Sequence, residues 1–169
     1  FVFCCFNNTY KLTPEMFALW MRLLAAAPES MLWLIEPTPA ARRNLQESAR
    51  ARGIDASRLV FAPRVARTEH VARQRLADLF LDTLPVNAHT TASEALWAGV
   101  PLVTCLGTTF PGRVAASLLG AVGLPELVTH RLADYEALAL GLARDGGRAA
   151  ALREKLARKR LACPLVDSP

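Results

Sequence analysis

Cysteine and histidine are scarce in this chain, with four and three residues in 169. Cys4, Cys5, Cys105 and Cys163 form no CxxC pair and show no Cys/His ligand spacing. A structural zinc site is therefore not expected, and the thiols read as small buried hydrophobes of a reducing compartment such as the cytoplasm. Long apolar runs are missing too, because Pro and Gly interrupt even the richest stretch, "VAASLLGAVGLPELV", and with them goes any expectation of a membrane span. Nothing resembles a signal peptide. No G-x-G-x-x-G follows the first apolar run and no G-x-x-x-x-G-K-[ST] occurs, so neither a dinucleotide fingerprint nor a Walker loop is present. There is no G-x-S-x-G elbow, and the three histidines are scattered. No clustered carboxylate pair suits a divalent metal or glycosidase chemistry.

What is present fits one globular domain, since apolar residues make up 52% of the chain, enough to bury a core at this length. The chain opens on Phe1 inside an apolar run, and it is expected to be a fragment of a longer protein. Its net charge of +5 suits an anionic partner. The excess lies in arginines at positions 42 to 52 and in "REKLARKR" near the end, where a solvated helix face is the ordinary explanation. No aromatic stripe interleaves these cations, so a nucleic-acid partner is not expected.

Strands and helices alternate almost from end to end. "FVFCCF", "MLWLIE", "RLVFA", "LADLFLD" and "PLVTC" read as five strands, apolar enough to be covered on both faces. Between the first two, Thr13 caps a helix that opens with Pro14 and Glu15 and stops at Pro28. "AARRNLQESARARG" reads as an amphipathic helix closed by Gly53. "PRVARTEHVARQR" is polar, with one helical turn expected. "RVAASLL", "LADYEALALGLAR" and "GRAAALREKLARKR" are helical in pattern. The fold class is α/β: a Rossmann-like parallel sheet with helices on both faces, joined by right-handed crossovers.

In such a sheet ligands gather at the carboxyl ends of the strands. The loops there carry Asn8 and Lys11, then Arg64, Arg67 and His70, then "NAHTT", then "LGTTFPGR". They are rich in cations, amides and hydroxyls, a rim suited to an anion with several oxygens. Thr90 or Thr91 can cap a helix starting near Ala92, and capping alone would explain both. That helix terminus, with its free N–H groups and positive dipole end, could also receive a phosphate or diphosphate. His89 and Lys11 nearby favour the second use.

"FNNTYK", "LVFAP…EHVARQRLADLFLDT", "NAHTTASEALWAGVPLVT" and "GRVAASLL" resemble the C-terminal half of the catalytic region of protein O-linked N-acetylglucosamine transferases. The resemblance runs from Phe1 to about "CPLVDS". It implies the donor-binding half of a GT-B glycosyltransferase, without the N-terminal catalytic half and the tetratricopeptide repeats of the family. The activity implied is inverting transfer of N-acetylglucosamine from UDP to a Ser or Thr hydroxyl of a protein acceptor, with no cofactor and no metal. Lys11 falls on the catalytic lysine of the donor diphosphate, and Asn8 on an amide side chain that precedes it, often Gln in relatives. The uridine segment falls on Val65, Ala66 and Arg67, with His70 and Arg73 after it; relatives often carry Lys at Arg67, which is not geometrically equivalent. His89, Thr90 and Thr91 fall on the diphosphate cradle, and Glu94 on an acidic residue that holds the ribose. Two alternatives stay open: a SPINDLY-like transferase using GDP-fucose, and a non-catalytic module that kept the fold for protein interaction.

Overall fold

The computed structural model describes residues 1–160 and Cys163; the "PLVDS" that ends the resemblance lies outside the described residues. The elements run β1 (Val2–Cys5), α1 (Pro14–Ala26), β2 (Met31–Ile35), α2 (Pro39–Arg50), β3 (Leu59–Ala62), α3 (Arg67–Gln74), β4 (Leu79–Leu81), α4 (Thr90–Ala98), β5 (Leu102–Cys105), α5 (Val114–Ala121), β6 (Val128–Thr129), α6 (Leu132–Arg144) and α7 (Gly146–Lys159). The strands form one parallel sheet in the order β3-β2-β1-β4-β5-β6. The expected α/β class is correct, and β1 and β4 lie side by side at its centre.

Local chemistry explains most boundaries. The Thr13 hydroxyl accepts the Met16 N–H at 3.2 Å with Pro14 at the first helical position, which satisfies one orphan donor and presets the first turn. Gly53 stands at φ +75° just past α2. The carboxyl end of α1 is closed from a distance: Arg58 donates to the carbonyls of Leu24 and Ala27, each at 2.8 Å.

Two expected boundaries need correction, and one strand was not expected. The fourth strand covers only Leu79–Leu81, because the N–H groups of Leu76 and Ala77 turn back to Arg73 and Gln74 at 3.0 and 2.9 Å. The polar stretch before it holds a helix of 8 residues, α3, rather than one turn. The sixth strand, Val128–Thr129, has only 2 residues and gives no periodic signal in the sequence.

The strands are buried on both faces, as their continuous apolar runs require: Phe3, Cys4, Leu32, Phe80, Leu102 and Val103 are all fully inaccessible. All four cysteines are free and buried. Among the described residues no helix is long and apolar enough to cross a membrane. One polar chain crosses the core. Trp20 of α1 donates Nε1–H to the Tyr135 hydroxyl of α6 at 3.3 Å, and Tyr135 donates to the carbonyl of Asp82 at 3.0 Å. Tyr135→Phe would leave a buried donor and a buried acceptor unpaired, with an expected loss of about 1–3 kcal/mol of stability. Denaturant titration checks this; an unchanged midpoint would mean that water replaces the hydroxyl.

Candidate functional site

The chain leaves β1 through "NNTYKL", where Thr9–Lys11 wind into a 3-10 turn. This turn projects Lys11 across to the loop after β4, and its Nζ donates to the carbonyl of Asn87 at 2.8 Å. An ammonium has three protons, so two remain for another acceptor. Three residues beyond Asn87, α4 begins.

The start of α4 differs from the expectation. The helix starts at Thr90, not near Ala92, and His89 occupies the N-cap position without a side-chain capping bond. Thr91 is the second residue inside the helix and so is not its cap; its hydroxyl donates to Asn7 Oδ1 at 2.5 Å. Thr90 is exposed within the first turn. The first α4 N–H with a helical acceptor is that of Ser93, to His89 O at 3.1 Å. The N–H groups of Thr90, Thr91 and Ala92 therefore have no helical acceptor at the positive end of the helix, where Thr90 is exposed, Thr91 half-buried and Ala92 buried.

Buried polar residues that the sequence did not single out hold this arrangement. Asn7 is 6% exposed; besides receiving Thr91, it donates to Thr83 Oγ1 at 2.8 Å. Asn87, fully buried, donates to Thr83 O at 2.8 Å, and its Oδ1 meets no donor among the described residues. Asp82, 1% exposed, accepts from the N–H groups of Thr83 and Ala88 and from the Thr104 hydroxyl at 2.8, 2.6 and 2.6 Å. Burial pushes its pKa up to about 7, while those hydrogen bonds and the Lys11 cation pull it down. The only signal for this set in the sequence is Asn and Asp at the ends of apolar runs, which turn chemistry alone would explain.

The loop after β5 packs against the same segment. Pro111 O accepts the Asn87 N–H at 2.8 Å, and it lies 3.3 Å from His89 Nε2. A carbonyl only accepts, so in that contact Nε2 carries a proton. Arg113, at the head of α5, donates to Gly107 O at 3.2 Å.

The residues after β3 form a second group. Arg67 and Glu94 are ion-paired at 2.9 Å between α3 and α4. His70 stands edge-on to Phe6, ring centroids 4.9 Å apart, and its Nδ1 accepts from Arg73. Partial burial and then the Arg73 cation hold His70 below its usual pKa range. Arg73 also donates to Pro63 O at 2.6 Å. Val65 is half-buried and Ala66 exposed at the head of α3. Asn8 Oδ1 accepts from Arg64 at 2.9 Å, so of its amide only the N–H₂ is uncommitted. The expected residues thus fall in two groups, one of Lys11 and His89–Thr91 at the loops ahead of α4, the other of the Arg67–Glu94 and His70–Arg73 pairs; Asn8 bonds to Arg64, and the side chains of Thr90, Val65 and Ala66 make no hydrogen bond among the described residues. A cavity of about 630 Å³ opens from the Arg67–Glu94 pair along α3 and α4 to Trp97 and Cys163. Another, of about 360 Å³, lies between Asn8, Tyr10, Glu36 and Arg64. Among the described residues no three His, Cys, Asp or Glu side chains gather as metal ligands do.

The profile of glycosyl transferase family 41 matches residues 1–169. The chain is 38% identical over 169 residues to the probable UDP-N-acetylglucosamine--peptide N-acetylglucosaminyltransferase SEC of Arabidopsis thaliana, covering 99% of this chain and 17% of that protein. It is 39% identical over 166 residues to the UDP-N-acetylglucosamine--peptide N-acetylglucosaminyltransferase of Caenorhabditis elegans, covering 98% and 14%. The solved structure of a mutant O-GlcNAc transferase of Thermobaculum terrenum superposes with a TM-score of 0.88 at 42% identity, over 93% of this chain and 31% of that one. The chain thus spans less than a fifth of those two relatives and about a third of the solved one.

The close approach of the two loops can be tested at Gly112. A Cβ there would lie 2.8 Å from the carbonyl of Pro85, closer than backbone tolerates. Gly112→Ala is expected to force the loops apart and to destabilise by about 1–3 kcal/mol. A thermal melt checks it; a wild-type midpoint would show that the loops are not in contact.

Proposed function

The chain belongs to glycosyl transferase family 41, and from that membership we propose that it is the donor-binding half of a protein O-GlcNAc transferase. The observation that carries this reading is the meeting of the Lys11 ammonium with the uncapped N-terminus of α4 between adjacent strands β1 and β4, where the strand order reverses. Open α/β sheets bind ligands at such a point. A diphosphate seated there would accept from Lys11, from the free N–H groups of Thr90, Thr91 and Ala92, and from the Thr90 hydroxyl. The Thr91 hydroxyl proton is already given to Asn7, so Thr91 would serve through its backbone. Asn8 would offer its amide N–H₂.

The second cluster suits the nucleoside. Arg67 and Glu94, a donor and an acceptor side by side, would hold the ribose hydroxyls. Backbone groups of Val65 and Ala66 would read the uracil edge. Because His70 Nδ1 is engaged by Arg73, its Nε2–H is the group left to meet the base or ribose.

As the bond from the anomeric carbon to the diphosphate breaks, negative charge grows on UDP. Lys11 and the helix terminus would stabilise that charge more in the transition state than in the ground state, which lowers the barrier. Lys11 is the catalytic residue in this sense, and neutralisation by cations and dipole leaves no step that needs a metal. The acceptor hydroxyl, the inverting attack and its proton acceptor are assigned to the remainder of the full-length protein, a cytoplasmic enzyme with tetratricopeptide repeats on this reading.

The test is calorimetric titration of UDP and GDP into the full-length protein and its variants, with chelator present. UDP is expected to bind, and Lys11→Ala to weaken it by about tenfold or more, the worth of a charge-assisted hydrogen bond. Thr90→Ala is expected to weaken UDP more than Thr91→Ser, which keeps the hydroxyl and the backbone N–H. Glycosyl transfer by Lys11→Ala should fall by about 10²–10³, as for loss of one donor to a developing oxyanion. A preference for GDP would move the assignment to a fucosyl transferase, and binding of neither would leave a non-catalytic module.

A further inference from the structure

One buried carboxyl group has no part in the chemistry above. Asp82 follows β4 directly, and its bond to the Ala88 N–H closes residues 83–88 into a ring immediately before His89. Through Thr104 it ties the same loop to β5. The Ala88 bond thereby sets where α4 starts and which way its free N–H groups face.

The donors around this carboxyl group are of two kinds. Thr83 and Ala88 present backbone N–H groups, which only donate, so Oδ1 must stay an acceptor. Oδ2 faces the Thr104 hydroxyl, which can donate or accept. Turning that hydroxyl keeps the contact between Oδ2 and Thr104 when Asp82 is protonated, with the Thr104 hydrogen then lacking an acceptor among the described residues, while the Oδ1 bonds to Thr83 and Ala88 stay in both states. The titratable groups facing it are Lys11 from the turn after β1, Cys5 of β1, Cys105 of β5 and Tyr135 of α6; His89 follows Ala88 at the head of α4. Burial raises the two thiols and the phenol above their usual ranges, so Lys11 is the cation that Asp82 feels.

We infer that Asp82 is the positioning residue of the anion site: it holds the loop ahead of α4 in either protonation state and takes up a proton when a diphosphate settles beside Lys11. This rests on the reading of that rim as the donor site. An arriving diphosphate competes for the Lys11 cation and adds like charge, and both effects favour the neutral acid. Asp82 starts at about 7, so the uptake falls in the physiological range. Binding that takes up a proton weakens as pH rises through that value, and a rise of one unit on binding corresponds to about tenfold in affinity.

The experiment compares the full-length wild type with Asp82→Asn and Asp82→Ala. Asparagine keeps an acceptor for Thr83 and Ala88 and a donor for Thr104, but carries no charge. UDP is titrated into each from about pH 5.5 to about pH 8.5, and exchange of the Ala88 amide is followed without ligand. The ratio of the wild-type dissociation constant to that of Asp82→Asn, in which UDP's own titration cancels, is expected to be near one at the acid end. It should rise to about tenfold at the alkaline end. Asp82→Ala should bind UDP more weakly throughout and exchange Ala88 faster, whereas Asp82→Asn should protect Ala88 as the wild type does. A ratio that stays flat with pH overturns the proton uptake. Wild-type protection of Ala88 in Asp82→Ala overturns the positioning role, whatever UDP does. Failure of the wild type to bind UDP at any pH overturns the donor reading and the proton uptake with it, while Ala88 exchange still decides the positioning role.

Discussion

The reversal of strand order between β1 and β4 is the constraint on which the site depends. Right-handed crossovers carry the chain from β1 outward to β3 with α1 and α2 on one face. The return through α3 to β4, and the outward run through β5 to β6, place α3, α4 and α5 on the other. The connections leaving the two central strands therefore turn to opposite faces, the kind of point at which open α/β sheets bind ligands. Everything chemical in the chain is arranged around that point: Lys11 reaches over from one side, and α4 begins on the other. The covering of both sheet faces by apolar residues such as Phe3, Phe80 and Leu102 keeps the strands, and hence the loop bases, from shifting.

Positive potential there is of two kinds, the Lys11 ammonium bonded to the Asn87 carbonyl and a fixed helix terminus. The fixed part depends on polar groups buried beneath it. Asn7 links the loop after β1 to the first turn of α4 through Thr91, and to the loop after β4 through Thr83. Asn87 and Pro111 lock that loop to the one after β5. Such groups are costly to bury unless bonded; some of their bonds run between loops, as Asn7–Thr83 and Asn87–Pro111 do, and others within the loop after β4, as Asn87–Thr83 and Asp82–Ala88 do. The result is a set of donors held in place before any anion arrives, which is how electrostatic stabilisation avoids reorganisation during reaction.

Much of this was legible in the sequence, for identifiable reasons. Strands covered on both faces must be continuous apolar runs, so "FVFCCF" and "MLWLIE" announced the parallel sheet. Cations and hydroxyls at strand ends pointed to Lys11, His89 and Thr90, and the family resemblance pointed to His70 and Glu94, which the structure pairs with Arg73 and Arg67. The start of α4 was not legible, because His89 stands at the N-cap without a capping side chain, and the Thr91 hydroxyl is held inside the first turn by a residue 84 positions away. Asp82, Asn7 and Asn87 were missed for the same reason: each looks like an ordinary loop residue until tertiary pairing buries it. The short sixth strand and the second turn of α3 lack enough residues to show a period.

A structure of the full-length protein with UDP bound would test the whole account most directly. The account predicts the diphosphate within hydrogen-bond reach of Lys11 Nζ and of the N–H groups of Thr90, Thr91 and Ala92, with the ribose between Arg67 and Glu94. A diphosphate lodged instead in the cavity beside Arg64 and Tyr10, with the α4 terminus unengaged, would contradict it.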